Sequence, residues 1–562
     1  MVVKSRALQL APAIAVLLVI GLIAAAGFSG GLHRRVPANE WGRFVFALSS
    51  AITAARYGVG GYVSFEPVEA ALKANGLTSD EKILSEIDSR FPENFSDGNL
   101  ITRAIQHASS LEVPIPSPEF QNEQYNVRPA GGDDLGFIAL VSFVFWLFSY
   151  SMTAIYVCYL LILAISVFLF WLAFRNEQAY LAVLLLTCAV IYALFLSPLF
   201  PGLHGGAWGS PVSGHFLSTL AFVPMLHILA VHCRCPKLTL EQILCLAAQT
   251  AILYFAVRLR ASAVWTVIPI FLAACLVCLR TIELCRLELS RRIRFQICAR
   301  QCWPALLFLL TALCAHVAFE SRLHPVYQQG NNLTRHAFWP EVFYGLQGHP
   351  QWADKYASMY LIRGETAVGD ELPLAAVLRY LDLHAEIDRS QVLDRVGGLY
   401  WGAMEHYSML ALWDFVRTDP WFVAECFGYK LNALLSVLRA MPGWVFGSFS
   451  GLTILSFALL AIGAAHALAT GYVKQIASFR PYVVLVGLCV PASWLPNIMT
   501  LVGWELMADA IVSWFLFLSL LFALLASITA KLILKALRGR LCLFSTNPPR
   551  PLRALRGISE PF

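Results

Sequence analysis

Residues 153–174 read TAIYVCYLLILAISVFLFWLAF and contain no charged side chain. An α-helix rises about 1.5 Å per residue, so this run is long enough to cross the roughly 30 Å hydrocarbon core of a bilayer. The whole chain has the same character: its mean hydropathy is +0.64, and of its 562 residues 58% are hydrophobic and only 14% charged. This composition is not that of a soluble globular protein, and it predicts an all-α polytopic membrane protein.

Further runs of roughly 18 or more mostly apolar residues meet the same length criterion, which gives about ten predicted transmembrane helices. They cover residues 7–28, 153–174, 178–199, 215–233, 240–257, 262–280, 302–320, 443–468, 481–500 and 508–535. The first run follows Lys4 and Arg6 as in a signal peptide, but its apolar part is longer than a usual signal core. We therefore expect residues 1–28 to be a retained anchor, 153–320 a six-helix membrane core and 443–535 three C-terminal membrane helices.

Basic residues are concentrated in alternate short loops, and such loops stay in the cytoplasm. With a cytoplasmic N-terminus, the inner loops carry Arg175, Arg234, Lys237, Arg286, Arg291, Arg292, Arg294, Arg300, Lys474 and Arg480. The basic tail, residues 536–562, is then cytoplasmic too. Because consecutive spans cross the membrane in alternate directions, residues 29–152 and 321–442 are predicted to lie on the outer face. We call them the first and the second polar segment. Acidic side chains outnumber basic ones in both, although the whole chain is net +6.

The same alternation of spans requires that residues 136–150 do not cross the bilayer, and we expect them to lie along its surface or to enter it only partway.

Both polar segments have the apolar periodicity of helices, notably over 40–56 in the first and over 371–384 and 404–417 in the second. The second is rich in Trp and Tyr, which suits either a sugar-binding platform or the aromatic belt of a membrane interface. No nucleotide-binding motif occurs, so neither a nucleotide nor a nucleic acid is an expected partner.

Two adjacent carboxylates, Asp133 and Asp134, stand where the first polar segment gives way to an apolar run. Either can accept a proton from an attacking hydroxyl or ligate a divalent cation. Alternatively, Asp134 caps the following helix and Asp133 stabilises the helix dipole. A divalent cation at this pair is the one cofactor that the sequence leaves open, because no Cys or His cluster has convincing metal-ligand spacing.

Arg258 and Arg260 lie in a very short exported loop, where the positive-inside rule needs no basic residue. Their guanidinium groups can bind the phosphate of a lipid-linked substrate, or they can extend toward ordinary lipid headgroups. Further candidate binding residues are His215, Arg335, His336 and Trp339, and the secondary acidic candidates are Glu40, Asp370 and Glu371.

The layout resembles the C-type membrane glycosyltransferases, the GT-C class: one span, an exported segment ending near residue 150, six spans, a second exported segment and a shorter C-terminal set. The resemblance implies inverting transfer of a sugar from a polyprenyl-phosphate carrier to an acceptor on the outer face. It assigns proton abstraction to Asp133 or Asp134, phosphate binding to Arg258 and Arg260, and the acceptor to the second polar segment. The acidic motif of the class usually follows the first span, where this chain reads GGLHRRVPANEWGRF (residues 30–44) and offers only Glu40.

Two other functions stay open at this stage. A polysaccharide polymerase or ligase acting on lipid-pyrophosphate oligosaccharides would have the same layout. A non-enzymatic exporter of a lipid-linked glycan is the third reading, although few charged residues fall within the spans, which disfavours ion-coupled transport. Membrane lipids are expected partners in each case. For the location we expect a bacterial inner (plasma) membrane, and an endoplasmic reticulum membrane would give the same topology.

Overall fold

The computed structural model of the chain describes residues 20–21, 24, 41–65, 68, 71–72, 127–129, 135–148, 152–196, 217–234, 238–286, 291–325, 327, 338–362, 364–368, 371–384, 398–448, 481–499 and 508–544. Helix dominates these residues, as the sequence predicts. The strands found among them form two small antiparallel pairs. One pair joins β1 (Val63–Phe65) to β2 (Val127–Pro129), and the other joins β3 (Leu361–Ile362) to β4 (Glu365–Thr366).

The helices begin and end as follows: α1 (Trp41–Tyr57), α2 (Leu135–Leu147), α3 (Met152–Phe174), α4 (Gln178–Leu196), α5 (Phe222–Arg234), α6 (Leu240–Leu259), α7 (Val267–Arg286), α8 (Arg291–Glu320), α9 (Phe338–Tyr344), α10 (Trp352–Lys355), α11 (Glu371–His384), α12 (Gly398–Thr418), α13 (Pro420–Ser448), α14 (Pro481–Met499) and α15 (Ala508–Phe544). Short 3₁₀ turns cover Ser218–Ala221, Ala261–Thr266, Gly345–Gly348 and Ala357–Met359. The first two of these turns lead directly into α5 and α7.

Among the described residues, five helical segments are long and apolar enough to cross a membrane, and each corresponds to a predicted span. They are Ala154–Phe174, Leu240–Leu259, Ala263–Glu283, Cys302–Glu320 and Pro481–Met499. Shorter apolar segments fall in three more predicted spans: Ala179–Cys188, Ser218–Cys233 and Asp509–Phe522. The predicted spans 7–28 and 443–468 lie largely outside the described residues. The membrane character is thus clear, while the number of about ten spans stays a prediction.

Helix α2 covers most of the stretch that was expected not to cross the bilayer. It has 13 residues, which as an α-helix extend about 20 Å and fall short of the hydrocarbon thickness. Most of the helix is buried, and it packs against α1 and α6. The large side chains at its C-terminal end, Phe143, Trp146, Leu147 and Phe148, are exposed.

Buried hydrogen bonds fix how the apolar helices pack against each other. Ser166 of α3 donates a hydrogen bond to the Gln249 side-chain oxygen of α6 at 2.8 Å, and the Gln249 amide donates back to the Ser166 carbonyl at 2.6 Å. Tyr159 and Thr219 share a further buried hydrogen bond of 2.9 Å. Because lipid supplies no hydrogen-bonding partner, polar side chains in spans bond to one another across helices. These contacts hold α3 against α6 and against the turn before α5.

The second polar segment has its own core, formed by α9, α10, α11, α12 and the start of α13. The predicted helix over 371–384 is confirmed by α11, and the predicted helix over 404–417 lies within α12. Several of its aromatic residues are buried in one cluster, among them Phe343, Trp352 and Tyr360. Neither a sugar platform nor an interface belt describes these three side chains, because they pack against each other in the core of the segment.

Candidate functional site

Arg258 is the centre of a polar network where the end of α6 meets the end of α8. Its Nε donates a hydrogen bond to Tyr254 Oη at 2.8 Å. Its Nη2 donates to His316 Nδ1 and to Glu320 Oε1, both at 2.9 Å. Residues four apart share one face of a helix, so Tyr254 and Arg258 on α6 face His316 and Glu320 on α8. We call these four residues the Arg258 network.

The Arg258 network is charged and partly open to its surroundings. Arg258 and Glu320 form an ion pair with side chains that are 26% and 37% exposed, and His316 is 47% exposed. The guanidinium also lies over the rings of Tyr254 and Phe319, at 5.3 and 5.2 Å from their centroids. Tyr254 Oη lies 3.0 Å from His316 Nδ1. Since a guanidinium can only donate, Nδ1 accepts the hydrogen bond from Arg258.

The first turn of α2 packs directly on the backbone at the end of α6. A Cβ on Gly136 would lie 2.3 Å from the carbonyl carbon and oxygen of Arg258, so only glycine permits this approach. Asp133 and Asp134 lie outside the described residues. They precede Gly136 by three and two residues in the sequence.

Arg260 lies in a different environment from Arg258, because its side chain is only 7% exposed. The chain leaves the helix at Arg260, which has an extended conformation with φ −151° and ψ 116°. Its charge acts on Asp509 of α15, which is also buried. Asp509 accepts hydrogen bonds from Ser218 Oγ at 2.8 Å and from Trp265 Nε1 at 2.9 Å. This cluster ties together the starts of α5 and α15 and the loop between α6 and α7.

A strained turn holds the first polar segment against the end of α8. Tyr62 has a φ of 64°, in the left-handed region that residues other than glycine seldom adopt. Its carbonyl accepts a hydrogen bond of 2.6 Å from the Tyr327 hydroxyl, and its ring stacks on Phe319. The His324 N–H donates to the Gly61 carbonyl at 3.3 Å. Because Phe319 also lies under the Arg258 guanidinium, this turn and the Arg258 network share one packing partner.

The other predicted site residues are distributed as follows. Trp339 packs against the aromatic cluster of the second polar segment. The backbone N–H groups of Phe338 and Trp339 donate hydrogen bonds to Glu405 Oε2. Glu371 is exposed at the start of α11. The described contacts of Trp339 thus stabilise the start of α9 and the core of the second polar segment. No described contact joins Trp339 or Glu371 to the Arg258 network. Glu40, His215, Arg335, His336 and Asp370 lie outside the described residues.

Sequence reasoning missed Tyr254, Glu320 and Asp509. The four-residue spacing of Tyr254 and Arg258 was a usable signal, as was a carboxylate at the end of an apolar run. The sequence could not predict which residues they contact, because Arg258 and Glu320 are 62 positions apart and Trp265 and Asp509 are 244 positions apart. Within the described ranges, no group of three His, Cys, Asp or Glu side chains could hold a metal ion. A cation at Asp133 and Asp134 stays a prediction.

Comparison of the chain with models of protein families, with curated proteins and with solved structures finds no match. The case for a function therefore depends on the sequence and on the arrangement of the described residues.

Proposed function

We propose that the chain is an inverting glycosyltransferase that moves a sugar from a polyprenyl-phosphate carrier to a lipid, glycan or protein acceptor at the membrane surface. The observation that supports this best is the close contact between Gly136 and the backbone of Arg258. Asp133 and Asp134 come three and two residues before Gly136 in the sequence, and we propose that their carboxylates lie beside the Arg258 network. A carboxylate that can take a proton and a guanidinium that can bind an oxyanion are the groups that this reaction needs.

In the proposed reaction the acceptor hydroxyl attacks the anomeric carbon from the side opposite to the phosphate. A new carbon–oxygen bond forms while the bond between the anomeric carbon and the phosphate oxygen breaks, and the phosphate leaves with that electron pair. Asp133 or Asp134 takes the hydroxyl proton as a general base. The leaving phosphate gains one negative charge, which the Arg258 guanidinium stabilises. Arg260 is buried and its charge acts on Asp509, so we assign the leaving phosphate to Arg258.

The described contacts of Arg258 suit an oxyanion ligand. Its bonds to Tyr254, His316 and Glu320 use Nε and Nη2, so within the described part of the chain both N–H groups of Nη1 remain available. These bonds also hold the guanidinium in one orientation, which reduces the entropy lost when a ligand binds. The neighbouring span Cys302–Glu320 is the least buried of the five candidate spans. A lipid-linked phosphate can therefore approach Arg258 from the lipid side.

The test is transfer by the purified full-length protein in nanodiscs, with radiolabelled polyprenyl-phosphate sugars and lipid or glycan acceptors. We expect the double variant Asp133→Asn, Asp134→Asn to lose transfer by about 10²-fold or more, because a general base contributes that much, while it still binds the donor. Arg258→Gln should weaken donor binding. Asp354→Asn, which changes an exposed carboxylate of α10, is the control and should transfer normally.

Other outcomes identify the alternatives. Full turnover in the double variant would reduce Asp133 and Asp134 to a helix cap and would remove the proposed base. Chain growth from a lipid-pyrophosphate oligosaccharide, without use of polyprenyl-phosphate sugars, would indicate a polymerase or ligase. Movement of an intact lipid-linked glycan across the membrane, with no new glycosidic bond, would indicate an exporter.

A further inference from the structure

Lys430 is a buried cation in the second polar segment that the proposed reaction does not use. Its side chain is 2% exposed, and its Nζ forms no hydrogen bond with any residue that the structure describes. On α13 the buried residues Phe422, Cys426, Lys430 and Leu434 follow each other at a spacing of four, so Lys430 lies on the inward face of the helix. Lysine is almost never fully buried unless it is paired.

No carboxylate lies three or four positions from Lys430 on its own helix, and Glu425, five positions earlier, is exposed. The ring of Phe427 lies 5.4 Å from Nζ, and the residues three and four positions away are Cys426, Phe427, Ala433 and Leu434. Among the described residues, the Cys426 thiol is the titratable group whose charge acts on Lys430. Burial lowers the pKa of Lys430 to about 8, so the amine is still mainly protonated at neutral pH. A buried ammonium is unfavourable until an anion pairs with it.

The cluster one helical turn from Lys430 extends to the end of a candidate span. Cys426, one turn earlier on α13, belongs to the aromatic cluster of the second polar segment, and Met499 packs against the same cluster. Met499 is the last residue of α14, one of the five candidate spans. The headgroup region of a bilayer begins where the hydrocarbon core ends, so phosphate is the abundant anion at the end of a span.

We propose that Lys430 is the cation of an oxyanion-binding site that takes one phosphate group beside the aromatic cluster of the second polar segment. The phosphate is either free in solution or part of an anionic lipid headgroup, because both present the same oxygens to the ammonium group. A charge-assisted hydrogen bond to such an oxygen is among the strong ones. The proposal is independent of the glycosyltransferase proposal, since it uses no residue of the Arg258 network.

The test compares thermal unfolding of the full-length protein in dodecyl maltoside micelles, which contain no phosphate. Inorganic phosphate is titrated in one arm and phosphatidylglycerol in the other, at constant ionic strength. In at least one arm the melting temperature of the unsubstituted protein should rise, since a ligand that binds only the folded state stabilises it. Lys430→Met should need at least tenfold more ligand for the same rise. Lys355→Met, which changes an exposed lysine lying over Phe422, should respond normally.

The two arms separate the two sources. A rise with inorganic phosphate that Lys430→Met loses assigns the site to free phosphate, and one seen only with phosphatidylglycerol assigns it to a headgroup. An equal rise in both proteins, or no rise in either arm, would overturn the proposal. So would a Lys430→Met variant that melts well below the unsubstituted protein without ligand, because Lys430 would then already have a counter-charge within the protein. None of these results bears on the substitutions of Asp133 and Asp134.

Discussion

Arg258 and Arg260 are two positions apart, and the end of a helix separates their environments. In sequence they form a pair of cations expected to face lipid phosphates. Arg258 keeps a partly exposed guanidinium, whereas the extended backbone of Arg260 directs its side chain into the protein beside Asp509. The spacing of the two arginines could not predict this division, because Asp509 comes from the far end of the chain.

Asp509→Ala should be strongly destabilising. The substitution leaves the Ser218 hydroxyl and the Trp265 N–H without the carboxylate that accepts their hydrogen bonds, and it removes the negative charge near Arg260. Loss of one member of a buried polar cluster costs about 3 kcal/mol in the free energy of unfolding. Denaturant titration in mixed micelles measures this loss. Asp354→Ala, at an exposed position, should leave stability unchanged, and equal stabilities of the two variants would contradict a structural role for Asp509.

Asp419 should make the stability of the second polar segment depend on pH in the acid range. Its carboxylate accepts hydrogen bonds from the Tyr356 hydroxyl and from the Phe422 N–H. These bonds, with that of Tyr356 the largest cause, hold the pKa of Asp419 below its ordinary value. A carboxyl group whose pKa is lower in the folded than in the unfolded state stabilises the protein above the unfolded pKa of about 3.9. That contribution is lost as the pH falls through the folded pKa.

Asp419→Asn isolates this contribution. Asparagine keeps an oxygen that can cap the start of α13, but it cannot carry the charge. We expect the melting temperatures of the unsubstituted protein and the variant to differ most near neutral pH and to converge below about pH 4. Asp354→Asn provides the background for the many other carboxyl groups. A difference that stays constant across this range would show that the Asp419 charge adds nothing.

At the scale of single elements, local patterns predicted helices well and their contacts poorly. Helix α11 begins and ends where the apolar periodicity predicted, because that signal lies within the helix itself. Asp419 followed by Pro420 marks the start of α13 in the same local way, since a capping side chain before a proline favours a helix start. The close approach of α2 to α6 has no such signal. It depends on one glycine and on a backbone far away in sequence.

Gly136→Ala tests that approach. The added Cβ would meet the Arg258 backbone at 2.3 Å, so α2 and α6 must move apart. Overpacking of this kind typically costs 1–3 kcal/mol, and we expect about that loss in the free energy of unfolding. If the proposed reaction is correct, transfer should fall as well, because the contact between α2 and the backbone of Arg258 is part of the proposed site.

Gly428→Ala is the matched control for Gly136→Ala. Gly428 lies within α13, and a Cβ there would have nothing within 4 Å. Alanine loses less backbone entropy than glycine in a helix, so this variant should be as stable as the unsubstituted protein or more stable. Stability in Gly136→Ala equal to that of Gly428→Ala would mean that α2 and α6 are not in close contact.

For the whole molecule, hydropathy predicted the membrane character because each span is a local property of the chain. It did not predict how the spans pair. The bonds from Ser166 to Gln249 and from Ser218 to Asp509 join residues 83 and 291 positions apart. Which ends of the helices face the cytoplasm stays a prediction from charge, but one described contact shows that two ends predicted to lie on the same side are adjacent. Arg175 after α3 and Glu241 at the start of α6 form an ion pair of 3.2 Å, so these two predicted inner ends lie together.

The predicted orientation in the membrane determines which residues a reagent outside the cell can reach. Asn176 is exposed beside Arg175, at the end that carries basic loops, and Ala424 is exposed on α13 in the second polar segment. In intact cells a membrane-impermeant maleimide should label Ala424→Cys and should label Asn176→Cys only after permeabilisation. The parent protein corrects for its native cysteines, of which Cys278 and Cys314 are exposed. The reverse pattern would put the second polar segment in the cytoplasm, where a sugar donor on the outer face could not reach it. The proposed transfer would then have to be abandoned, even if the Arg258 network were intact.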